Sequence, residues 1–146
     1  QVTGVGLGQL LLALDATLVS LVEAPRGLDL PVASAALLDA DDVRLGLAAA
    51  AGAADVFFLL GVSPTETVRW FDQQARQPVA IFAKEPHQSV VDRARLAGVA
   101  VVAVDPRARW ERLYRLVNHV FAHHSDRADP LSASATDLFG LAQSIA

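Results

Sequence analysis

The chain has no cysteine and no methionine, one lysine (Lys84), one tyrosine and two tryptophans among its 146 residues. Without cysteine there is no disulfide framework, no thiolate metal site and no thiol nucleophile. Positive charge is also scarce, with 12 Lys and Arg against 16 Asp and Glu and a formal net charge of −4. A chain of that sign lacks the basic face that displaces counterions from phosphates, so direct nucleic-acid binding is not expected. Long apolar runs are missing too. Asp15, Glu23 and Asp39 cut the longest nearly uncharged windows into pieces too short to cross a bilayer, so no membrane partner is expected. The run up to Leu14 has no basic segment and is a poor signal peptide. The lack of cysteine is compatible with a reducing compartment. The chain begins at Gln1 rather than at a methionine, and the expectation is that either its start was trimmed or it was cut from something longer.

What is present is a rhythm. Asp55–Pro64, Pro78–Pro86 and Val99–Pro106 each carry a short apolar run, then a polar residue or two, then a proline that opens a helical stretch. Apolar runs of this length are what a strand buried on both faces looks like. Proline is tolerated in a first helical turn because its missing N–H would have had no intrahelical partner. Repeated strand–helix units of this kind imply right-handed crossovers. The expected fold is a three-layer α/β domain with a mostly parallel sheet of about five strands and helices on both faces.

Before the first of these units, Leu7, Leu10, Leu11 and Leu14 recur at helical spacing. Thr17–Ala24 and Val32–Leu38 read as strands joined by only about seven residues, whereas a parallel crossover needs a dozen or more. They are therefore an antiparallel pair or not neighbours, and that end of the sheet should be mixed. Helices are expected from about Asp42 to Ala51, Pro64 to Arg76, His87 to Ala97 and Ala108 to His123. Ser63-Pro-Thr-Glu66 is a capping-box pattern, and Gly98 a typical helix stop. The expected organisation is an α/β domain over residues 1–124, a polar linker over 125–135 and the start of a connecting helix over 136–146. Leu138, Leu141, Ala142 and Ile145 form the stripe of that last helix.

Several patterns invite chemistry. Gly4-Val-Gly6-Leu-Gly8 has the glycines of a phosphate loop, but too little chain precedes it for the strand such a loop must follow, and a flexible N-terminus is the plainer reading. His119 and His123 stand one turn apart, with Asp126 or Asp129 as the candidate co-ligands for a metal, but solvated histidines compensating the helix dipole are the plainer reading. Ser63 reads as a cap rather than a nucleophile, because no G-x-S-x-G elbow surrounds it. Trp70 falls off the Val68/Phe71/Ala75 stripe and is expected to be exposed or a partner contact. The best collective signal is Asp39, Ser63, Lys84, Glu85 and Asp105 at strand carboxyl ends, which would line one edge of a doubly wound sheet. Of these, Asp39, Ser63, Lys84 and Asp105 are the candidate ligand-binding residues, with Lys84 either facing an anion or pairing with Glu85 or Asp105. No cofactor and no metal is expected.

Leu10–Leu14 with Leu18–Val22, the Gly27-Leu-Asp-Leu-Pro-Val32 turn, Ala94–Val104, Trp110–Val120 and Asp137–Ala146 resemble the N-terminal domain of the PucR family of bacterial transcription regulators, named for the purine catabolism regulator. Leu30 stands where that family usually has arginine, and Arg44-Leu-Gly-Leu-Ala-Ala replaces a Gly-Gly-Glu-Leu-type segment. The resemblance implies a non-catalytic sensing or assembly domain of a cytoplasmic regulator, with a helix-turn-helix far C-terminal to it. A homodimer and a small-molecule effector are the expected partners. The competing expectation is a small enzyme, or an anion- or metabolite-binding domain, acting at the strand edge through Lys84 and Asp105.

Overall fold

The computed structural model describes residues 4–45, 54–74 and 76–128. In chain order these form β1 (Val5–Gly6), α1 (Leu7–Ala13), β2 (Val19–Glu23), β3 (Pro31–Val32), β4 (Ala35–Asp39), α2 (Ala40–Arg44), β5 (Val56–Leu60), α3 (Pro64–Gln73), β6 (Ala80–Lys84), α4 (Gln88–Ala97), β7 (Ala100–Val104) and α5 (Trp110–Ala128). Five strands make one sheet in the order β2-β7-β6-β5-β4, and β1 pairs with β3 in a separate two-stranded ribbon. β4, β5, β6 and β7 are parallel, and β2 runs antiparallel to β7. The fold is therefore the expected α/β sandwich with one antiparallel edge.

Alternation along the central strands explains the three layers. Val56, Phe58, Ala80, Phe82, Val102 and Val104 face one way, toward α1 and α5. Phe57, Leu59, Ile81, Ala83 and Val101 face the other way, toward α2, α3 and α4. Each set is apolar, so each must be covered. Because the four parallel strands follow one another in sequence order, successive crossovers step the same way and place α2, α3 and α4 on one face. The opposite face is closed by α1, which precedes the sheet, and α5, which follows it. There is thus no reversal of strand order between the parallel strands.

Several local expectations need correction. The strand expected over Val32–Leu38 is two strands, because Ala33 donates its N–H to Asp55 Oδ2 (2.9 Å) and Ser34 Oγ accepts from Asp55 N (3.1 Å), so the chain leaves β1 for β5 at that point. Of the two alternatives for the first two long strands, the second holds and is no correction: β2 and β4 are not neighbours and take opposite edges of the sheet. Trp70 is fully buried, with its ring 5.0 Å from that of Phe57 in an edge contact. The buried face of α3 is Thr67, Trp70 and Phe71 rather than Val68 and Phe71, since α3 rides on the large side chain of Phe57. α3 ends at Gln73, before the expected Arg76. α2 starts two residues early, after its cap Asp39, and ends at Arg44 with Leu45 as its C-cap; residues 46–51 of the helix expected to Ala51 lie outside the described residues. α5 continues through residues 125–128, which were expected to begin a linker. Residues 129–146, including the expected connecting helix, lie outside the described part.

The glycine-rich start is also ordered from Gly4. A Cβ on Gly4 would lie 2.7 Å from the carbonyl oxygen of Val32, so this close approach of backbones requires glycine. Gly98 closes α4 with φ 76°, the left-handed conformation that terminates a helix.

Phe58 is the hub of the face under α5, with the rings of Phe82, Trp110 and Tyr114 at 5.1, 5.7 and 5.7 Å. Phe58→Ala is expected to destabilise the domain by about 3–5 kcal/mol, read from urea unfolding. A cost below about 1 kcal/mol would show that this face is not close-packed.

Candidate functional site

The five polar residues at strand ends do not line one common cavity. Asp39 is the N-cap of α2: its Oδ1 accepts from the N–H of Asp42 (2.8 Å), and its own N–H donates to Asp42 Oδ2 (3.1 Å). Ser63 caps α3, with Oγ accepting from the N–H of Glu66 and donating to Glu66 Oε1, both at 3.1 Å. Glu66 in turn meets Arg44 at 3.2 Å, tying α3 to α2. The Ser63 hydroxyl is therefore engaged by the cap the sequence pattern implies.

Asp105 shapes the turn after β7. Its carboxylate accepts from the N–H of Arg107 (2.8 Å), and its own N–H donates to the carbonyl of Leu18 (2.7 Å), joining the turn to the start of β2. The Arg107 backbone and guanidinium hydrogen bonds hold its carboxyl below the ordinary aspartate value, with smaller help from the charges of Arg107 and Lys84.

Lys84 and Glu85 remain. Lys84 ends β6, and its ammonium donates to the carbonyl of Ala108 and lies 5.5 Å from the ring centre of Trp110. Among the described residues it forms no ion pair, with neither Glu85 nor Asp105. The expected pairing is replaced by a carbonyl and an aromatic face, because α5 begins just above the end of β6. Glu85 has φ 49°, the one non-glycine residue with positive φ among those described. A left-handed non-glycine residue costs on the order of 1 kcal/mol, here in the tight turn that leads into Pro86 and α4.

Both residues line a cavity of about 350 Å³ at the carboxyl ends of β5 and β6. Its walls are largely apolar, formed by Leu59, Val62, Pro64, Val90 and Trp110. Thr67 and His87 are the other polar residues around it. The Thr67 hydroxyl donates to the carbonyl of Ser63 (2.8 Å). His87 caps α4, with Nδ1 accepting from the N–H of Ser89 (3.1 Å), so Nε2 is the ring's remaining donor. A second, shallower hollow between β2 and β7 is lined by Glu85 and Asp105 but not by Lys84. Thr67, His87 and Trp110 were not singled out as site residues from sequence. Only the position of His87 directly after a strand-end proline would have indicated it.

The other motifs find structural uses. At the glycine-rich start, the N–H of Gly6 donates to Gln9 Oε1 (3.0 Å), and those of Leu7 and Gly8 donate to the carbonyls of Leu30 and Leu28 (both 2.9 Å). These are the donors a phosphate would need. The His119 and His123 rings touch edge to face, with centres 4.0 Å apart. The side chains of Asp126 and Asp129, their candidate co-ligands, lie outside the described part.

No family model matches the chain, and no curated protein or solved structure shows significant similarity to it.

The Ser63 hydrogen bonds also hold the Glu66 carboxyl below its ordinary value, the backbone bond contributing most. A depressed carboxyl adds stability that is fully present above its unfolded pKa, about 4.3 for glutamate, and that is lost as pH falls through the folded value. Ser63→Ala is expected to lower stability near neutral pH by roughly 1 kcal/mol through loss of the cap. It should flatten the decline in stability on acidification only in part, because alanine removes the hydroxyl bond to Glu66 and keeps the larger backbone one; a decline as steep as in the parent would show that the hydroxyl adds nothing to the Glu66 shift.

Proposed function

We propose that this domain is a non-catalytic sensing and assembly module of a cytoplasmic transcription regulator similar to the PucR family, with DNA binding performed by a helix-turn-helix elsewhere in the parent protein. The observation that carries the reading is the division of labour at the carboxyl edge. Groups that would suit a reaction are occupied by structure: Ser63 and Asp39 cap helices, and Asp105 holds a turn. Groups that suit binding line a cavity with most of its wall apolar. The competing enzyme reading relies on Lys84 and Asp105 acting together, and they line different hollows.

The net charge of −4 supports placing the DNA contact outside this chain. A signal then passes through the C-terminal segment, whose Leu138, Leu141, Ala142 and Ile145 stripe suits pairing with a second copy. Regulators that read paired half-sites are two-fold symmetric, and a homodimer fits that requirement. No described helix is long and apolar enough to cross a membrane.

Two measurements test the reading. Thermal unfolding of the chain against purines, small carboxylates and amino acids should reveal at least one compound that raises the midpoint, since a ligand binding only the native state stabilises by mass action. Sedimentation velocity should show a dimer that becomes a monomer when residues 132–146 are deleted. A monomer in both cases removes the assembly role, and turnover of any bound compound that disappears in Lys84→Ala establishes the enzyme instead.

A further inference from the structure

We infer that the cavity at the carboxyl ends of β5 and β6 binds a small zwitterion, an α-amino acid with an apolar side chain, with Lys84 receiving its carboxylate and Glu85 its ammonium. The inference rests on reading that cavity as the sensing site and names what it senses.

The argument begins with two opposite charges that are adjacent in sequence and do not neutralise each other. Lys84 and Glu85 form no ion pair with one another or with any other described residue. An ammonium has three donors, and the Ala108 carbonyl uses one of those on Lys84. Glu85 takes part in none of the side-chain hydrogen bonds of the described residues, and its carboxylate retains its full accepting capacity.

Backbone geometry explains how both reach one cavity. Successive residues of an extended strand point to opposite faces. Lys84 accordingly sits on the α5 side, by Trp110. The positive φ of Glu85 breaks the alternation at the strand end, and both residues line the same space.

Size and lining narrow the occupant. A volume of about 350 Å³ stands at the small end of ligand pockets, which start near 300 Å³. A single-signed ligand would satisfy one of the two side chains and oppose the other, whereas a zwitterion satisfies both. The remaining wall of Leu59, Val62, Val90 and Trp110 suits an apolar substituent.

The test is calorimetric titration of the 146-residue chain with L-leucine, L-phenylalanine, N-acetyl-L-phenylalanine and phenethylamine. The expected result is binding of at least one amino acid, with N-acetylation or loss of the carboxylate weakening phenylalanine by about tenfold or more, equivalent to one lost charged contact. Glu85→Gln should abolish discrimination against the N-acetyl compound, and Lys84→Met should abolish discrimination against the amine. The analogue comparison uses the parent chain, so it stands even if a variant fails to fold. N-acetyl-L-phenylalanine binding as tightly as phenylalanine overturns the zwitterion. So does binding of a purine or simple carboxylate at this cavity without either amino acid, an outcome that leaves the sensing role intact. No binding of any compound in either panel overturns both.

Discussion

The structure depends on burying three apolar strands on both faces. β5, β6 and β7 present almost no polar side chain to either layer, and Phe57 and Phe58 place large rings on opposite sides of one strand. Such strands cannot occupy an edge, since an apolar strand with free N–H and C=O groups would be a template for aggregation. They fill the middle of the sheet, and the weaker amphipathic strands β2 and β4 take the edges. Helices are then required on both faces, with α2, α3 and α4 supplied by the crossovers and α1 and α5 by the ends of the domain.

The same constraint locates the cavity. With all three crossover helices on one face, their N-termini gather at the carboxyl edge, while α5 begins at that edge on the other face. Trp110 from α5 and Val90 from α4 thus approach the end of β6 from opposite layers. The crevice between them exists because the sheet ends there and the layers do not. It needs no reversal of strand order of the kind that opens a cleft in doubly wound sheets.

The architecture was legible in sequence because burial on both faces leaves a continuous apolar run, which survives without knowledge of any partner. The caps at Ser63 and Gly98 were legible because they are local hydrogen-bond chemistry. Trp70 was misread since helical periodicity cannot say how wide a buried face is. That width depends on Phe57, which lies beneath it and a crossover away. The split of the strand after Val32 was invisible for a similar reason: it depends on Asp55, 22 residues downstream of Ala33. Among candidate site residues, sequence placed Lys84 and Asp105 at the right edge but could not say that they enter different hollows. That distinction depends on the turn at Glu85 and on where α5 starts.

The two edges of the sheet treat their polar groups in opposite ways, and this is the strongest reason to look for binding at one of them. At the amino edge Asp55 spends everything it has on structure. Its carboxylate accepts from Ala33 N–H and meets Arg76 at 3.4 Å, its N–H donates to Ser34 Oγ, and its carbonyl accepts from Val79 (2.7 Å) and Ala80 (3.2 Å). That network pins the entries to three neighbouring strands, β4, β5 and β6, at one point. At the carboxyl edge the connections are held by caps, by the Asp105 turn and by one Lys84 hydrogen bond to the Ala108 carbonyl, which leaves two donors of Lys84 and the whole Glu85 carboxylate without a structural use among the described residues. A lysine and a glutamate kept unpaired at the mouth of an apolar cavity forgo the mutual attraction that an ion pair would supply. Glu85 is exposed, so pairing would add little stability, and both charges stay available to a ligand at the cavity mouth.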